Sequence, residues 1–373
     1  MRSCLLFLIG VCLSSPVLAE LPGQDKLASE LEFLQLALDL PSLSAAIRDD
    51  SGVVASAVGY ADVEEGLVQS TYLSMPGGST GKSFVAATAM RLVEEHAIEL
   101  SDPIALYVGK KSWFQALEDG EKITVEHLLT HSSGVPDHVD DFDFALSALW
   151  RRIGGDRLTY KPQELIEFVL DDGLQFEPGT DFQYSDTGYL MLGLVLEAAT
   201  ELTYYELLDQ LVLKPNQLQA RPAVSDTMSD ISQGYGSWSL LSWFGGFTGR
   251  LIEDGMMKIH PLTEWTGGGL MTTPRTLTQF YHQLANGQIV KPDTYAQMLA
   301  AGLKSSERGW HYGYGLYVDG LVVGHGGWFP GYTTNARYFG EQNVTIAFQS
   351  NTDADYDQRL IFDRLLALYT QAD

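Results

Sequence analysis

The segment Pro76-Gly77-Gly78-Ser79-Thr80-Gly81-Lys82-Ser83 carries the most information about the fold and chemistry of this chain. Apolar residues recur at helical spacing from Lys82 to His96, so we predict a helix that begins near Ser79. Ser79 and Lys82 then lie about one turn apart on the same face, where their side chains can touch. A serine becomes a strong nucleophile when a neighbouring base removes its proton. The segment therefore predicts a reactive serine at a helix N-terminus, where backbone N–H groups stabilise an oxyanion.

Two other interpretations of this segment compete with a reactive serine. A phosphate-binding loop requires a glycine at position 76, but Pro76 has no N–H to donate to a phosphate. An ordinary capping serine followed by a surface lysine gives the same Ser-x-x-Lys pattern. The phosphate-binding interpretation fails because its first glycine is missing. The capping-serine interpretation is rejected only if other motifs support a reactive serine.

The N-terminal residues have the pattern of an export signal. Arg2 precedes an apolar run at positions 5–13, and small residues lead up to Ala19. We therefore predict a signal peptide at residues 1–19 and a secreted or periplasmic mature domain at residues 20–373.

The composition limits the classes of partner. The formal net charge is −25, and the charged residues are scattered along the chain. Nucleic acids and anionic membrane surfaces are bound by clustered Lys and Arg, so neither is expected as a partner. No stretch after the signal approaches the ~20 apolar residues that a membrane span needs. Cys4 and Cys12 both fall in the predicted signal, which excludes disulfides, a thiol nucleophile and cysteine metal sites from the mature chain.

The order of predicted elements indicates an α/β fold. A hairpin near the N-terminus and a meander after Gly309 have strand patterns, whereas the middle of the chain is mainly helical. We predict an antiparallel sheet flanked by helices and built from both termini, at about 20–75 and about 300–373. A mainly helical lobe at about 76–299 is inserted into it. The predicted strands are Ser42–Arg48, Val53–Tyr60, Gly313–Val318, Leu321–Gly324, Thr333–Phe339 and Val344–Asn351, and a final helix is predicted at Arg359–Tyr369.

Further motifs support catalysis by the serine. Phe182–Tyr189 leads into a predicted helix, and Gly324–Gly331 lies between predicted strands. Together with Ile123–Pro136 and Gly267–Pro274, these motifs resemble the serine β-lactamase and DD-peptidase superfamily, in its class C β-lactamase-like branch. The resemblance covers nearly the whole mature chain and implies the β-lactamase/transpeptidase-like fold.

The resemblance also implies roles for individual residues. Ser79 matches the family's nucleophile, Lys82 its amine partner and Tyr184 the phenol beside the serine. The backbone N–H groups of Ser79 and Trp328 match the oxyanion hole. The positions that match substrate-binding residues are Asp186, His325, Gly326 and Gly327. The resemblance implies an acyl-enzyme mechanism that needs no cofactor and no metal.

Asp186 departs from the family pattern, which usually has asparagine at this position. A carboxylate donates no hydrogen bond, so Asp186 cannot reproduce the amide's grip on a substrate. It is expected either to bind a substrate amine or to hold Lys82 in its charged form. A charged Lys82 is a poor base but stabilises a Tyr184 phenolate, so we favour Tyr184 over Lys82 as the proton acceptor.

The third motif departs from the Lys-Thr-Gly that is typical of β-lactamases. His325 lacks a fixed positive charge at pH 7, and Gly326 offers only its backbone. Efficient β-lactam hydrolysis is therefore not expected. We predict a hydrolase for small esters or D-amino-acid amides and peptides, with a small molecule or peptide as its partner. A DD-carboxypeptidase or weak β-lactamase is the alternative enzyme, and a catalytically weak binding protein is the alternative of another class. The sequence leaves the oligomeric state open.

Two further groups of residues are conspicuous. His127 and His131 have the i, i+4 spacing of some metal sites, but Leu128 occupies the position where metalloproteases have a glutamate. We therefore predict a structural role for both at a helix end. The aromatic residues of a glycine-rich segment either line a substrate pocket or pack a loop, and the sequence favours neither: Trp238, Trp243, Phe244 and Phe247.

Overall fold

The segment Asp49-Asp50-Ser51-Gly52 forms the turn of a β-hairpin, as predicted. One carboxylate oxygen of Asp49 accepts hydrogen bonds from the backbone N–H groups of Ser51 and Gly52, at 2.8 and 3.2 Å. Such local bonds between side chain and backbone favour a turn over a continuing strand. The turn sets the antiparallel register of the two strands of this hairpin. In that register Asp49 lies opposite Gly52.

The computed structural model of the chain describes residues 21–155, 158–225, 230–237, 248–303 and 309–371. The predicted signal peptide and the residues Trp238, Trp243, Phe244 and Phe247 lie outside the described residues. The helices are α1 Gln24–Ala37, α2 Gly81–Glu94, α3 Ala105–Val108, α4 Ser112–Ala116, α5 Val125–Leu129, α6 Phe142–Ile153, α7 Pro162–Glu167, α8 Asp186–Thr200, α9 Tyr204–Leu208, α10 Pro274–Ala285, α11 Pro292–Ala300 and α12 Gln358–Thr370.

Five strands in the described ranges have seven or more residues, and the others have two or three. The strands are β1 Ser42–Asp49, β2 Gly52–Asp62, β3 Leu67–Val68, β4 Met75–Pro76, β5 Arg221–Pro222, β6 Tyr235–Gly236, β7 Gly249–Arg250, β8 Ile252–Glu253, β9 Met256–Met257, β10 Leu270–Thr272, β11 His311–Tyr312, β12 Tyr317–Asp319, β13 Val322–Phe329, β14 Tyr332–Phe339 and β15 Val344–Ser350.

The central sheet is antiparallel and joins the two ends of the chain. Its strand order is β11-β12-β13-β14-β15-β1-β2-β3. Strand β1 pairs with β15, so that Ala46 lies opposite Ala347. The N-terminal hairpin and the C-terminal meander therefore form one sheet, and the predicted α/β fold with strands from both termini is confirmed.

Helices cover both faces of this sheet. Leu43, Ala45 and Ile47 alternate along β1 and pack in one apolar cluster with side chains of α1 and α12. A second and larger cluster lies on the other face and includes the buried side of α2. Helix α10 also packs on β1, β14 and β15, although its residues fall within the range predicted for the helical lobe. Two buried layers thus hold the sheet, and the start of α2 is fixed against it.

The structure differs from the predicted elements at the third motif. Gly324–Gly331, predicted to lie between strands, falls mostly within β13, which pairs with β14 from Val322 to Phe329. Glycines count against a strand in a sequence pattern, but they are accommodated where another backbone approaches closely.

Helix α1 is not among the predicted elements, although its sequence contains a helical signal. Leu27, Leu31 and Leu34 have i, i+4, i+7 spacing and are fully buried. They pack against the sheet through the cluster shared with α12. In the part of the chain that the structure describes, no helix has the length and apolar character required to cross a membrane.

We expect Leu31→Ala to lower the free energy of unfolding by about 2–5 kcal/mol, because it leaves a cavity between α1 and the sheet. Leu31 is fully buried, whereas Leu36 on the same helix is 75% exposed. Leu36→Ala is therefore the control, and its effect should stay within about 0.5 kcal/mol. Denaturant titration of both variants measures the difference, and equal losses would contradict the packing of α1 described above.

Candidate active site

The backbone before Ser79 turns sharply against the edge strand. Residues Gly78–Thr80 form one turn of 3-10 helix that continues into α2. Gly78 has φ of +52°, and a Cβ at this position would lie 2.6 Å from the carbonyl oxygen of Trp328. Only glycine combines this left-handed conformation with such a close approach. The turn therefore holds Ser79 directly beside strand β13.

Lys82 lies beneath the serine and is completely buried. Its Nζ is 3.2 Å from Ser79 Oγ and 2.5 Å from the carbonyl oxygen of Gly267, and it forms an ion pair with Asp186. An ammonium group has three N–H donors, and here each has an acceptor. The contacts are therefore those of a charged Lys82, as expected from the presence of Asp186.

Tyr184 lines the same pocket as Ser79. Its hydroxyl oxygen is buried and has no partner at normal hydrogen-bond geometry among the described residues. Burial and the charge of Asp186 raise the pKa of Tyr184 well above its ordinary value, and the nearby Ser79 hydroxyl only partly opposes this rise. Lys82 Nζ lies 4.9 Å from the centre of the tyrosine ring. The resting phenol is therefore neutral and lies beside a cation.

The segment Ile123–Pro136, prominent in the sequence, holds Tyr184 in position. The backbone carbonyl oxygen of His131 accepts a hydrogen bond from Gln183 N at 3.0 Å. The imidazole Nδ1 of His131 accepts a second one from Ser185 N at 3.1 Å. The imidazole also packs against the Tyr184 ring, with ring centres 4.1 Å apart and ring planes tilted by 32°. Burial lowers the pKa of His131 well below its usual value, so the ring is neutral. His131 is thus a supporting residue of the site, beyond the helix-end role predicted for it.

The neighbouring histidine behaves differently. His127 forms a capping box with Thr124 at the start of α5, as a structural role at a helix end requires. In residues 21–155 and the other described ranges, no group of three His, Cys, Asp or Glu side chains is arranged to hold a metal ion.

Asp137 was not identified from the sequence and lies directly beneath Asp186. Its two carboxylate oxygens accept hydrogen bonds from Asp186 N at 3.0 Å and from Val139 N at 3.1 Å. Burial and the neighbouring charge of Asp186 raise the pKa of Asp137 to about 7. No short motif marks this aspartate, because its partner in the site, Asp186, lies 49 residues further along the chain.

The third motif supplies an open strand edge. Strand β12 pairs with β13 only from Val322 to Gly324, which leaves the edge of Gly326, Gly327 and Trp328 facing the turn at Ser79. A Cβ on Gly327 would lie 2.0 Å from the carbonyl oxygen of Gly77. The glycine therefore permits the contact that brings the Trp328 backbone beside Ser79.

His325 lies behind this edge and not in the pocket. Its side chain is buried, its Nδ1 donates to the carbonyl oxygen of Gly326 at 2.5 Å, and its Nε2 accepts from the Tyr312 hydroxyl at 2.9 Å. Burial and the charge of Lys82 lower the pKa of His325 to about 3. The ring is therefore neutral and cannot bind an anion in place of the usual lysine.

The pocket in front of Ser79 has a volume of about 450 Å³. Its walls come from the turn before α2, from the Tyr184 segment, from β12 to β14, from the segment between β15 and α12, and from the first residue of α12. The lining residues are Ser79, Tyr184, Tyr317, Gly326, Gly327, Trp328, Thr333, Asp353, Ala354, Asp355 and Gln358. The side chain of Asp186 does not line it but pairs with Lys82 from behind.

The antiparallel sheet with a Ser-x-x-Lys helix and a facing tyrosine defines a serine hydrolase of the β-lactamase and transpeptidase type. The Beta-lactamase family model matches residues 30–369, and the chain belongs to this family.

Known proteins of this type are similar to the chain over most of its length. The putative penicillin-binding protein PbpX of Bacillus subtilis (strain 168) is 22% identical over 317 residues, which cover 82% of this chain and 69% of that protein. A D-stereospecific amidohydrolase from Streptomyces sp. has a TM-score of 0.78 at 23% identity and covers 94% of this chain and 100% of its own. The D-amino acid amidase from Ochrobactrum anthropi SV3, complexed with D-phenylalanine, has a TM-score of 0.76 at 20% identity, covering 94% and 99%. At these identities the two solved structures establish the shared fold.

We expect Asp137 to make the protein less stable as the pH rises from about 4 to about 7. Its pKa is raised from 3.8 to about 7 in the folded protein, so the folded state binds the proton more tightly than the unfolded chain. This stabilisation is complete below the unfolded pKa and is lost as the pH passes through the folded pKa. Asp137→Asn removes the titration but offers one acceptor oxygen where two are used, which costs about 1 kcal/mol at every pH. The difference in unfolding midpoint between the variant and the wild type should therefore move in favour of the variant as the pH rises from 5 to 8. A difference that stays constant over this range would contradict the raised pKa.

Proposed function

We propose that the protein hydrolyses small esters or D-amino-acid amides and peptides through an acyl-enzyme formed on Ser79. The observation that carries this proposal is the position of Ser79, which opens into a pocket while its Oγ lies 3.2 Å from the buried Lys82 ammonium. The D-stereospecific amidohydrolase and D-amino acid amidase that share the fold support this substrate class.

In the proposed acylation step, Ser79 Oγ attacks the carbonyl carbon of the substrate. The Tyr184 phenol first loses its proton to solvent, and the charged Lys82 stabilises the resulting phenolate. The proton of Ser79 then passes to the phenolate oxygen. Tyr184 then returns the proton to the leaving amine or alkoxide as the bond to the carbonyl carbon breaks. Water attacks the resulting ester in a second step and releases Ser79. Lys82 is a stabiliser in this scheme because its three donors are already engaged.

The proposed oxyanion hole consists of the backbone N–H groups of Ser79 and Trp328. The close contacts of Gly78 and Gly327 across the turn favour this arrangement, because they bring the edge strand beside the serine. Donors fixed before the reaction stabilise the tetrahedral oxyanion without reorganisation.

The neutral His325 favours esters and amides over β-lactams and over peptides with a free C-terminal carboxylate. The third motif carries no cation, so a substrate carboxylate has no charged partner there. We also propose that the protein is exported to the periplasm or secreted, on the strength of the N-terminal sequence pattern.

We expect Ser79→Ala to abolish turnover of p-nitrophenyl esters and covalent labelling by a fluorophosphonate probe, because the attacking oxygen is removed. The fold should be retained. Ser112→Ala, at an exposed serine outside the pocket, is the matched control and should keep full labelling. Intact-mass measurement detects the adduct, and labelling of the Ser79 variant would remove this residue as the nucleophile.

We expect the rate with a neutral ester to rise with pH across the neutral and alkaline range. The pKa of Tyr184 lies well above its ordinary value, so the phenolate fraction, and with it kcat/KM, should grow by about tenfold per pH unit. Tyr184→Phe should lower kcat/KM by roughly a hundredfold or more and flatten the profile. Asp186→Asn removes a charge that raises the tyrosine pKa, and should therefore shift the profile towards lower pH.

The rate of the Ser79→Ala protein at each pH gives the background of uncatalysed hydrolysis, which is subtracted. A Tyr184→Phe enzyme that keeps both its rate and its pH slope would identify Lys82 as the proton acceptor instead. A profile that Asp186→Asn leaves unmoved would show that Asp186 does not act on the tyrosine.

A further inference from the structure

The segment between β15 and α12 places carboxylates in the pocket of Ser79. Asp353 and Asp355 of this segment both line it, next to Gln358 at the start of α12. We propose that Asp355, supported by Asp353, forms a subsite for an ammonium group, so that the enzyme selects substrates with a free amine and rejects those with a free carboxylate. The inference rests on the proposed function and specifies its substrate class.

The two carboxylates have different surroundings. Asp353 is buried and accepts hydrogen bonds from Ser237 N at 2.5 Å and from Gly331 N at 2.9 Å, so it is held in place by the backbone. Asp355 is exposed, and within the described ranges no ion pair or hydrogen bond of its side chain is found. Asp355 is therefore available to a ligand, while Asp353 adds a fixed negative charge beside it.

No basic side chain among the lining residues offsets these charges. Lys82 lies close by, but it has no exposed surface and is already paired with Asp186. His325 is neutral at the working pH, because its pKa is lowered to about 3. A carboxylate that entered the pocket would meet like charges without a partner, whereas an ammonium group would be attracted.

A second observation points to a ligand in the same pocket. The Tyr184 hydroxyl is buried, lines the pocket and has no partner at normal hydrogen-bond geometry among the described residues. The proposed mechanism places this hydroxyl beside Ser79 as its proton acceptor, so a molecule that reacts with Ser79 must lie within its reach. The volume of about 450 Å³ suits a small compound, such as an amino-acid amide or ester with a free amine.

The test uses three substrates that differ in charge and share a leaving group: D-alanine p-nitroanilide, its N-acetyl derivative and its N-succinyl derivative. They are cationic, neutral and anionic, respectively. The variants are Asp355→Asn and Asp355→Lys. The matched control is Asp363→Asn, at an exposed aspartate of the same α12 helix that does not line the pocket.

We expect the wild-type enzyme to prefer the cationic substrate to the neutral one and the neutral one to the anionic one. Asp355→Asn should lower the preference for the cationic substrate, measured as its kcat/KM divided by that of the neutral substrate, about three- to fivefold. Loss of an exposed ion pair has an effect of this size. Asp355→Lys should reverse the order of the charged substrates. The wild-type preference should shrink in high salt because the carboxylate is exposed, and Asp363→Asn should change none of these ratios.

A binding measurement separates this inference from the proposed function. Calorimetry with the Ser79→Ala protein compares D-alanine amide with N-acetyl-D-alanine amide and requires no turnover. A preference for the free amine that disappears with the additional change Asp355→Asn supports the subsite even if no substrate is hydrolysed. Equal binding of the two amides would overturn the inference. So would unchanged ratios of kcat/KM in both Asp355 variants, provided that the neutral substrate is still hydrolysed.

Discussion

The buried ammonium of Lys82 is the interaction on which the site depends. A charged group without solvent is tolerated only when all its donors have acceptors. Those acceptors are Ser79 in the turn before α2, Asp186 at the start of α8 and the carbonyl oxygen of Gly267 before β10. One cation therefore fixes three distant parts of the chain around a single point, and the pocket opens directly above it.

Close backbone approach is the second constraint, and it acts on the other side of the serine. Gly78 and Gly327 allow the turn before α2 and the edge strand β13 to touch, where any side chain would separate them. The strand edge is left open because the pairing of β13 with β12 stops at Gly324. The ion pair and the backbone contact thus hold the serine from two directions. The segment after β15 supplies the negative charge in front of the serine, because it contributes carboxylates to the pocket. A substrate carboxylate would need a cation at this place.

The sequence predicted the sheet from both termini because its strands have clear alternation and turn residues. It did not predict α1, although the helical spacing of its leucines was present. It also did not predict the full length of β13, because the glycines of this strand are typical of a loop. Among the site residues, Ser79, Lys82, Tyr184 and Trp328 were found by motif, and the structure brings them together. Asp137, Asp355 and the supporting role of His131 were not found, because each depends on neighbours far along the chain.

The sequence by itself determined the fold class and the set of side chains available for chemistry, since local periodicity and short motifs are properties of neighbouring residues. Only the tertiary structure decided their charge states and their directions. Burial keeps His325 neutral and turns it away from the pocket, and the ion pair with Lys82 occupies Asp186. Desolvation and the distances between charges depend on how remote segments pack, and no local pattern of residues specifies them.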